Sequence, residues 1–176
     1  MNEKIETYIS LLKEYNTHTN IYSEKAYDHL DFHIQDSTTL AHHIENKIQN
    51  IFDFGSGSGL PAIPIAITNP KNTVFAIESK SRKTRFLHQV KEELHLKNLQ
   101  IITQNVFEWK PQSSPHIITA KAFGPLDKIK RICKHLKIKN ATIITPISLK
   151  QKEALSDSKD VHCININTFH YAKMRT

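Results

Sequence analysis

Glycine is scarce in this chain, with four residues among 176 against a usual share of about 7%. Collagen-like, glycine-linker and low-complexity architectures are thereby excluded. Cysteine is scarcer still. Cys133 and Cys163 stand thirty positions apart, which makes neither a disulfide framework nor a zinc or redox motif. Two reduced, packed thiols and no metal are expected. No apolar run approaches the roughly 18 residues of a membrane-spanning helix, and mean hydropathy is negative, so no membrane association is expected. Met1-Asn2-Glu3-Lys4 passes straight into an amphipathic pattern without the basic, apolar and small-residue order of a secretory leader. A cytoplasmic protein is expected.

Acidic side chains are also in short supply: Asp and Glu number 17 against 24 Lys and Arg, a formal net charge of +7. The resulting positive field attracts polyanions, and nucleic acid leads the candidate partners. Abundant Ile, Asn and Lys also fit a compositional bias of the genome, so charge alone leaves the partner open.

The length suits one domain. Residues 2–15 place Ile5, Tyr8, Ile9 and Leu12 on one helical face. Residues 16–22 read as a polar loop, and helical patterns follow over roughly 24–31 and 35–47. Residues 1–47 are expected to form a helical subdomain packed on the rest, residues 48–176, within a single structural unit. From Ile48 the period changes. A strand at 51–54 runs into Gly55-Ser56-Gly57-Ser58-Gly59 and then into a buried helix whose first turn tolerates Pro61 and Pro64. Strands are predicted at 73–77, 99–103, 116–120, 141–145 and 161–166. Helices are predicted at 81–96, with Phe86, Leu87, Val90 and Leu94 on one side, at 126–136, strongly basic, and at 149–155. This alternation specifies an α/β fold with a mostly parallel sheet flanked by helices. After the last strand only an aromatic and basic end is expected.

Three of the four glycines therefore fall in one turn between a first strand and its helix. Glycine lets a backbone approach a ligand closely and accepts positive φ, and the ligand then sits beyond the carboxyl ends of the strands. Dinucleotide sites use G-x-G-x-x-G. Here the spacing is D-x-G-x-G-x-G from Asp53 through Gly55, Gly57 and Gly59, the pattern of S-adenosylmethionine enzymes. Glu78 ends the second strand, where a carboxylate can accept hydrogen bonds from both ribose hydroxyls of either cofactor. A methyl donor is favoured over a nicotinamide, which stays open.

The run Phe52-Asp53-Phe54-Gly55-Ser56-Gly57-Ser58-Gly59-Leu60-Pro61-Ala62-Ile63-Pro64 strongly resembles the glucose-inhibited division protein B family, the RsmG methyltransferases that form 7-methylguanosine in small-subunit (16S) ribosomal RNA. The two prolines are more specific than the glycines. The resemblance continues through Ile77-Glu78-Ser79, through Arg82 to Val90, into Ala120-Lys121-Ala122-Phe123, and upstream into His33-Ile34-Gln35-Asp36-Ser37. It implies a Rossmann-like methyltransferase fold with an N-terminal helical extension. It also implies S-adenosyl-L-methionine contacts from Gly55 and Leu60, from Glu78 and Ser79, from Val106 and Phe107, and from Lys121. Some positions depart from the family. Lys121, Asn105 and Phe32 stand where it usually has arginine, Ala62 where it has glycine, and the C-terminal end reads as shortened, without a further antiparallel strand. Cofactor binding is expected to survive these changes better than RNA recognition, so a non-catalytic or weakened RNA-binding homologue is the alternative.

The implied reaction needs no general base, because guanine N7 carries an in-plane lone pair. Catalysis then rests on orientation, and no catalytic side chain is named. Phosphate contacts are expected from Arg82, Lys83 and Arg85 on one helix and Lys128 and Arg131 on another, where Lys130 and Lys134 also lie, with His33 a further RNA candidate. The expected partner is 16S ribosomal RNA or the small-subunit particle, met by a monomer.

Overall fold

The computed structural model describes residues 2–23 and 27–176. Helix α1 (Glu3–His18) opens on Asn2, whose side chain accepts a hydrogen bond from the Lys4 amide, satisfying one of the free donors of a helix start. The helix buries Ile5, Tyr8 and Leu12 and runs past the boundary expected from sequence. The polar residues beyond position 15 continue it and then stop it locally: the Thr19 hydroxyl and amide both donate to the Tyr15 carbonyl, and Asn16 Oδ1 accepts from the amides of Ile21 and Tyr22. Of the helical pattern at 24–31, residues 24–26 lie outside the described residues. Helix α2 (Leu30–His43) merges the end of that pattern with the next one. Leu30, Ile34, Ser37, Leu40 and Ala41 form one continuous buried stripe, so no break falls near residue 35.

The sheet contains β1 (Gln49–Phe54), β2 (Asn72–Glu78), β3 (Leu99–Thr103), β4 (Ile117–Thr119), β5 (Thr142–Ile147), β6 (His162–Ile166) and β7 (Phe169–Arg175) in the order β3-β2-β1-β4-β5-β7-β6. The first five run parallel, and β7 lies antiparallel between β5 and β6. Helices α3 (Ala62–Thr68), α4 (Ser81–Glu93), α5 (Leu126–His135) and α6 (Leu149–Ala154) complete the described elements. The period of two in the strands divides the core into two layers. Ile51 of β1 packs with α1, α2, α3 and α4 on one face, whereas Phe52 and Phe54 pack with Trp109 and α5 on the other.

The chain's end differs from expectation. It is not shortened before a last antiparallel strand: β7 is that strand, and it fills the gap between β5 and β6. Asn167 takes a left-handed φ of 54° in the turn, which folds the strand back against β6. Phe169 and Tyr171 enter one core layer while Ala172 and Met174 enter the other. The basic residues Lys173 and Arg175 between them disguised a strand as a solvated tail.

A candidate cofactor site beside a buried ion pair

The glycine turn is built by β1 and its neighbour. The amides of Gly55 and Ser56 both donate to the Ile77 carbonyl at the end of β2, at 2.8 and 3.1 Å, and Gly59 donates to Ser56. Helix α1 fastens the turn from the side, because the buried Tyr8 hydroxyl donates to the Ser58 carbonyl at 2.9 Å. Glu78 is only 7% exposed. Its Oε2 accepts from the Gly57 amide at 3.0 Å and its Oε1 from the Lys80 amide at 2.8 Å. The carboxylate thus ties the second glycine to the end of β2 and retains lone pairs for further donors.

The three glycines are required for different reasons. A Cβ on Gly55 would lie 2.3 Å from Cδ2 of Phe123, and one on Gly59 would lie 2.5 Å from Cγ1 of Ile63. The protein's own packing excludes a side chain at both positions. A Cβ on Gly57 would meet nothing nearer than 3.7 Å, with Lys83 Nζ among those neighbours. Its surroundings leave space for a ligand.

Beside this turn lies a cavity of about 490 Å³, at the carboxyl ends of β1, β2, β3 and β4. The strand order reverses between β1 and β4, so this is the switch point at which open α/β sheets bind ligands. Of the residues expected to touch a cofactor, Gly55, Glu78, Ser79, Val106 and Phe107 line it. Asp53, Gly57, Gly59, Leu60 and Lys121 do not. Lys83 and Lys128, expected to meet RNA, line the cavity instead. Burial lowers the Lys83 pKa against the pull of Glu78. Lys128 Nζ sits 4.0 Å from the centre of the Phe123 ring and donates to the Phe123 carbonyl. Lys80, Gln104 and Phe123 also line the wall beside Asn105, although the sequence does not single them out as cofactor contacts. Their signal was available, since each lies just beyond the end of a parallel strand. Arg82, Arg85 and Arg131 are exposed on the outer faces of their helices.

Asp53 lies wholly buried behind the turn, on β1. Its Oδ1 accepts from the Thr119 hydroxyl at 2.7 Å, and Oδ2 has no hydrogen-bond partner among the described residues. Burial pushes its carboxyl pKa up to about 6. The folded protein therefore holds a proton that the unfolded chain releases near its usual value of about 3.9, so Asp53 removes stability as pH rises from about 4 to about 6, with no further change above that. Asp53→Asn is expected to flatten this window, which denaturant unfolding at pH 4, 5, 6 and 7 would show. An unchanged pH profile would refute the assignment.

Lys121 follows β4 and forms an ion pair with the Asp36 carboxylate of α2. Both side chains are largely buried, 12% and 5% exposed. Tyr171 of β7 joins them, its hydroxyl lying 2.8 Å from Asp36 Oδ1 and 2.9 Å from the Asp36 carbonyl. His33, one helical turn before Asp36, has its Nδ1 buried without a partner among the described residues. Burial and then the Lys121 charge lower its pKa, favouring the neutral ring. Phe32 is 55% exposed and leans on Phe169, ring centres 5.2 Å apart, which gives this departure from the family pattern a packing role.

The profile of the GidB family, described as rRNA small subunit methyltransferase G, matches residues 1–173. Ribosomal RNA small subunit methyltransferase G of Hydrogenovibrio crunogenus is 35% identical over 134 residues, covering 76% of this chain and 61% of that protein. The protein of the same name from Chromobacterium violaceum is 33% identical over 135 residues, covering 76% and 64%. The chain thus spans less than two thirds of the length of these relatives. Among solved structures, a SAM dependent methyltransferase from Aquifex aeolicus superposes with a TM-score of 0.59 over 79% of this chain and 89% of its own, at 14% identity. That likeness shows a Rossmann-like methyltransferase fold, and the match over residues 1–173 establishes that the chain belongs to the GidB family, rRNA small subunit methyltransferase G.

Proposed function

We propose that the protein transfers a methyl group from S-adenosyl-L-methionine to guanine N7 of 16S ribosomal RNA. The observation that carries this reading is the turn from Gly55 to Gly59, tied by the Glu78 carboxylate to the end of β2 beside the switch point of a parallel sheet. The site fits the cofactor chemically. Glu78 supplies acceptors for ribose hydroxyls, Lys80 and Lys83 supply cations for a carboxylate, and Val106, Phe107 and Phe123 supply apolar surface for a base. When bound, the cofactor supplies an electrophilic methyl group on sulfur. The protein's own task is to hold the two reactants in line and exclude water, since N7 needs no deprotonation before attack. The family match and the excess of basic residues favour RNA as substrate. We read the protein as a cytoplasmic monomer.

Calorimetry with S-adenosylhomocysteine is expected to give saturable binding, and mass spectrometry of 16S RNA is expected to show 7-methylguanosine that disappears when the protein is removed. Binding without that loss would favour the non-catalytic RNA-binding reading. Binding of NAD in place of the methyl donor would favour a nicotinamide enzyme.

Arg82 and Arg85 face solvent next to this cavity without lining it. Replacing both by alanine is expected to weaken RNA binding and reduce its logarithmic salt slope by about 1.4, at roughly 0.7 per phosphate of single-stranded RNA. Affinity for S-adenosylhomocysteine should stay within about twofold. Anisotropy titrations at several salt concentrations would measure the slope, and an unchanged slope would remove these two residues from the interface.

A further inference from the structure

A broad depression lies at the other end of the sheet, where the parallel strands begin. It encloses about 1370 Å³ and extends from Lys130 and Lys134 on α5, through the connection to β5 at Lys137 and Lys139, to Lys173 and Arg175 at the end of β7. Six cationic side chains line it with one acidic side chain, Asp160, in a chain whose formal net charge is +7. None of the six has an ion-pair partner among the described residues. The floor is apolar, formed by Cys133, Ile138, Ile164 and Met174. A second depression of about 520 Å³ shares Thr142, Lys173 and Arg175 with it and adds His116 and Lys47, the latter ion-paired with Glu45. The unpaired positive charge therefore stays on the first depression and on the two cations that both share.

These observations select the occupant. The cations come from α5, from the connection after it and from β7, a spread over three segments that suits a line of negative charges better than one phosphate or carboxylate. A second copy of the chain would bring its own +7 charge to a positive surface. A polymer carrying evenly spaced negative charges over partly apolar units satisfies both the rim and the floor. Here the methyl-transfer site is at one end of the sheet and the groove is at the other, about the length of a five- or six-residue strand away, roughly 17–20 Å.

We propose that this groove is a second RNA-binding surface, holding the phosphate backbone of a single-stranded or splayed segment while another part of the same RNA meets the cofactor cavity. The proposal rests on the RNA reading above and gives it a second contact, remote from the reacting base. Such a contact raises local substrate concentration without touching the chemistry. It also gives a role to Lys173 and Arg175, exposed on β7, a strand whose neighbouring side chains are committed to the core.

The test uses the full chain with Lys134→Ala, Lys137→Ala, Lys173→Ala and Arg175→Ala combined, a fluorescein-labelled single-stranded RNA of the 16S sequence, and poly-glutamate as a second probe. Anisotropy should show RNA affinity reduced at least tenfold at 0.1 M salt, and a logarithmic salt slope smaller by about 3, at roughly 0.7 per lost phosphate contact. Binding of S-adenosylhomocysteine should match the parent protein, which confirms that the fold survives. Lys134→Arg with Lys173→Arg should retain affinity. Unchanged RNA affinity and slope in the fourfold variant would overturn the proposal. So would loss of poly-glutamate binding with RNA binding retained, which would assign the groove to an acidic protein. Methylation of small-subunit RNA by the parent protein separates the two readings: activity with an unaffected fourfold variant removes the groove alone. Loss of RNA binding in the variant, beside a parent that transfers no methyl group, retains the groove and removes the enzyme.

Discussion

Gly57→Val is expected to lower affinity for S-adenosylmethionine at least a hundredfold while the protein remains folded. Of the three glycines in the turn, this is the one whose absent side chain is not demanded by internal packing: a Cβ there would have no neighbour within 3.7 Å. The new branched side chain would project beside Lys83 Nζ and next to the amide that holds Glu78. Its backbone cost is real, since φ at this residue is 59° and a non-glycine residue in that region costs on the order of 1–2 kcal/mol. A hundredfold loss of affinity corresponds to about 2.7 kcal/mol, which is separate from the stability loss and is measured separately. Thermal unfolding reads the first cost and calorimetry with S-adenosylhomocysteine the second. Retained affinity in a folded variant would reduce the turn to a connection without a ligand. Gly55→Ala is a poorer probe because its Cβ would lie 2.3 Å from Phe123, itself part of the cavity wall, so packing and binding would fail together.

Lys121→Met is expected to destabilise the protein by about 3–5 kcal/mol, the range for removing one partner of a buried ion pair. Asp36 would remain with its carboxylate 5% exposed and the Tyr171 hydroxyl as its remaining side-chain partner. For a domain of this size each kcal/mol shifts the melting temperature by roughly 2–4 °C, so a fall of about 10 °C is the expected reading. The double variant Lys121→Met with Asp36→Asn should recover part of that loss, because no uncompensated charge stays buried. Lys121 is also the position at which the family resemblance implies a cofactor contact. A stable variant that has lost cofactor affinity would assign the ammonium to the ligand instead of Asp36; an unstable variant whose cofactor affinity persists at low temperature would assign it to the fold.

The parts legible in the sequence were those carried by short-range pattern. The turn from Gly55 to Gly59, the prolines after it and Glu78 at the end of the next strand all lie within 24 residues, and the chemistry of a close backbone approach restricts which residues occupy them. The strand at Leu99–Thr103 was read to the residue, since its β-prone run is bounded by polar turns. The parts that were not legible depend on contacts remote in sequence. Asp36 and Lys121 are 85 positions apart, and Tyr171 meets Asp36 across 135. No local period encodes such pairs. Lys83 and Lys128 belonged to basic helices, and only the packing of those helices against the sheet turned these two toward the cavity while Arg82, Arg85 and Arg131 stayed in solvent.

By itself, then, the sequence determined the alternation of strands and helices, the glycine turn and the class of ligand that turn suits, because these follow from hydrophobic period and from the conformational freedom of glycine. Tertiary structure alone decided the place of β7 between β5 and β6, the ion pair beneath the site, and the collection of six cations at the far end of the sheet. Each of these is a pairing between distant segments, settled when the two core layers close on the sheet and leave only certain side chains on the outside.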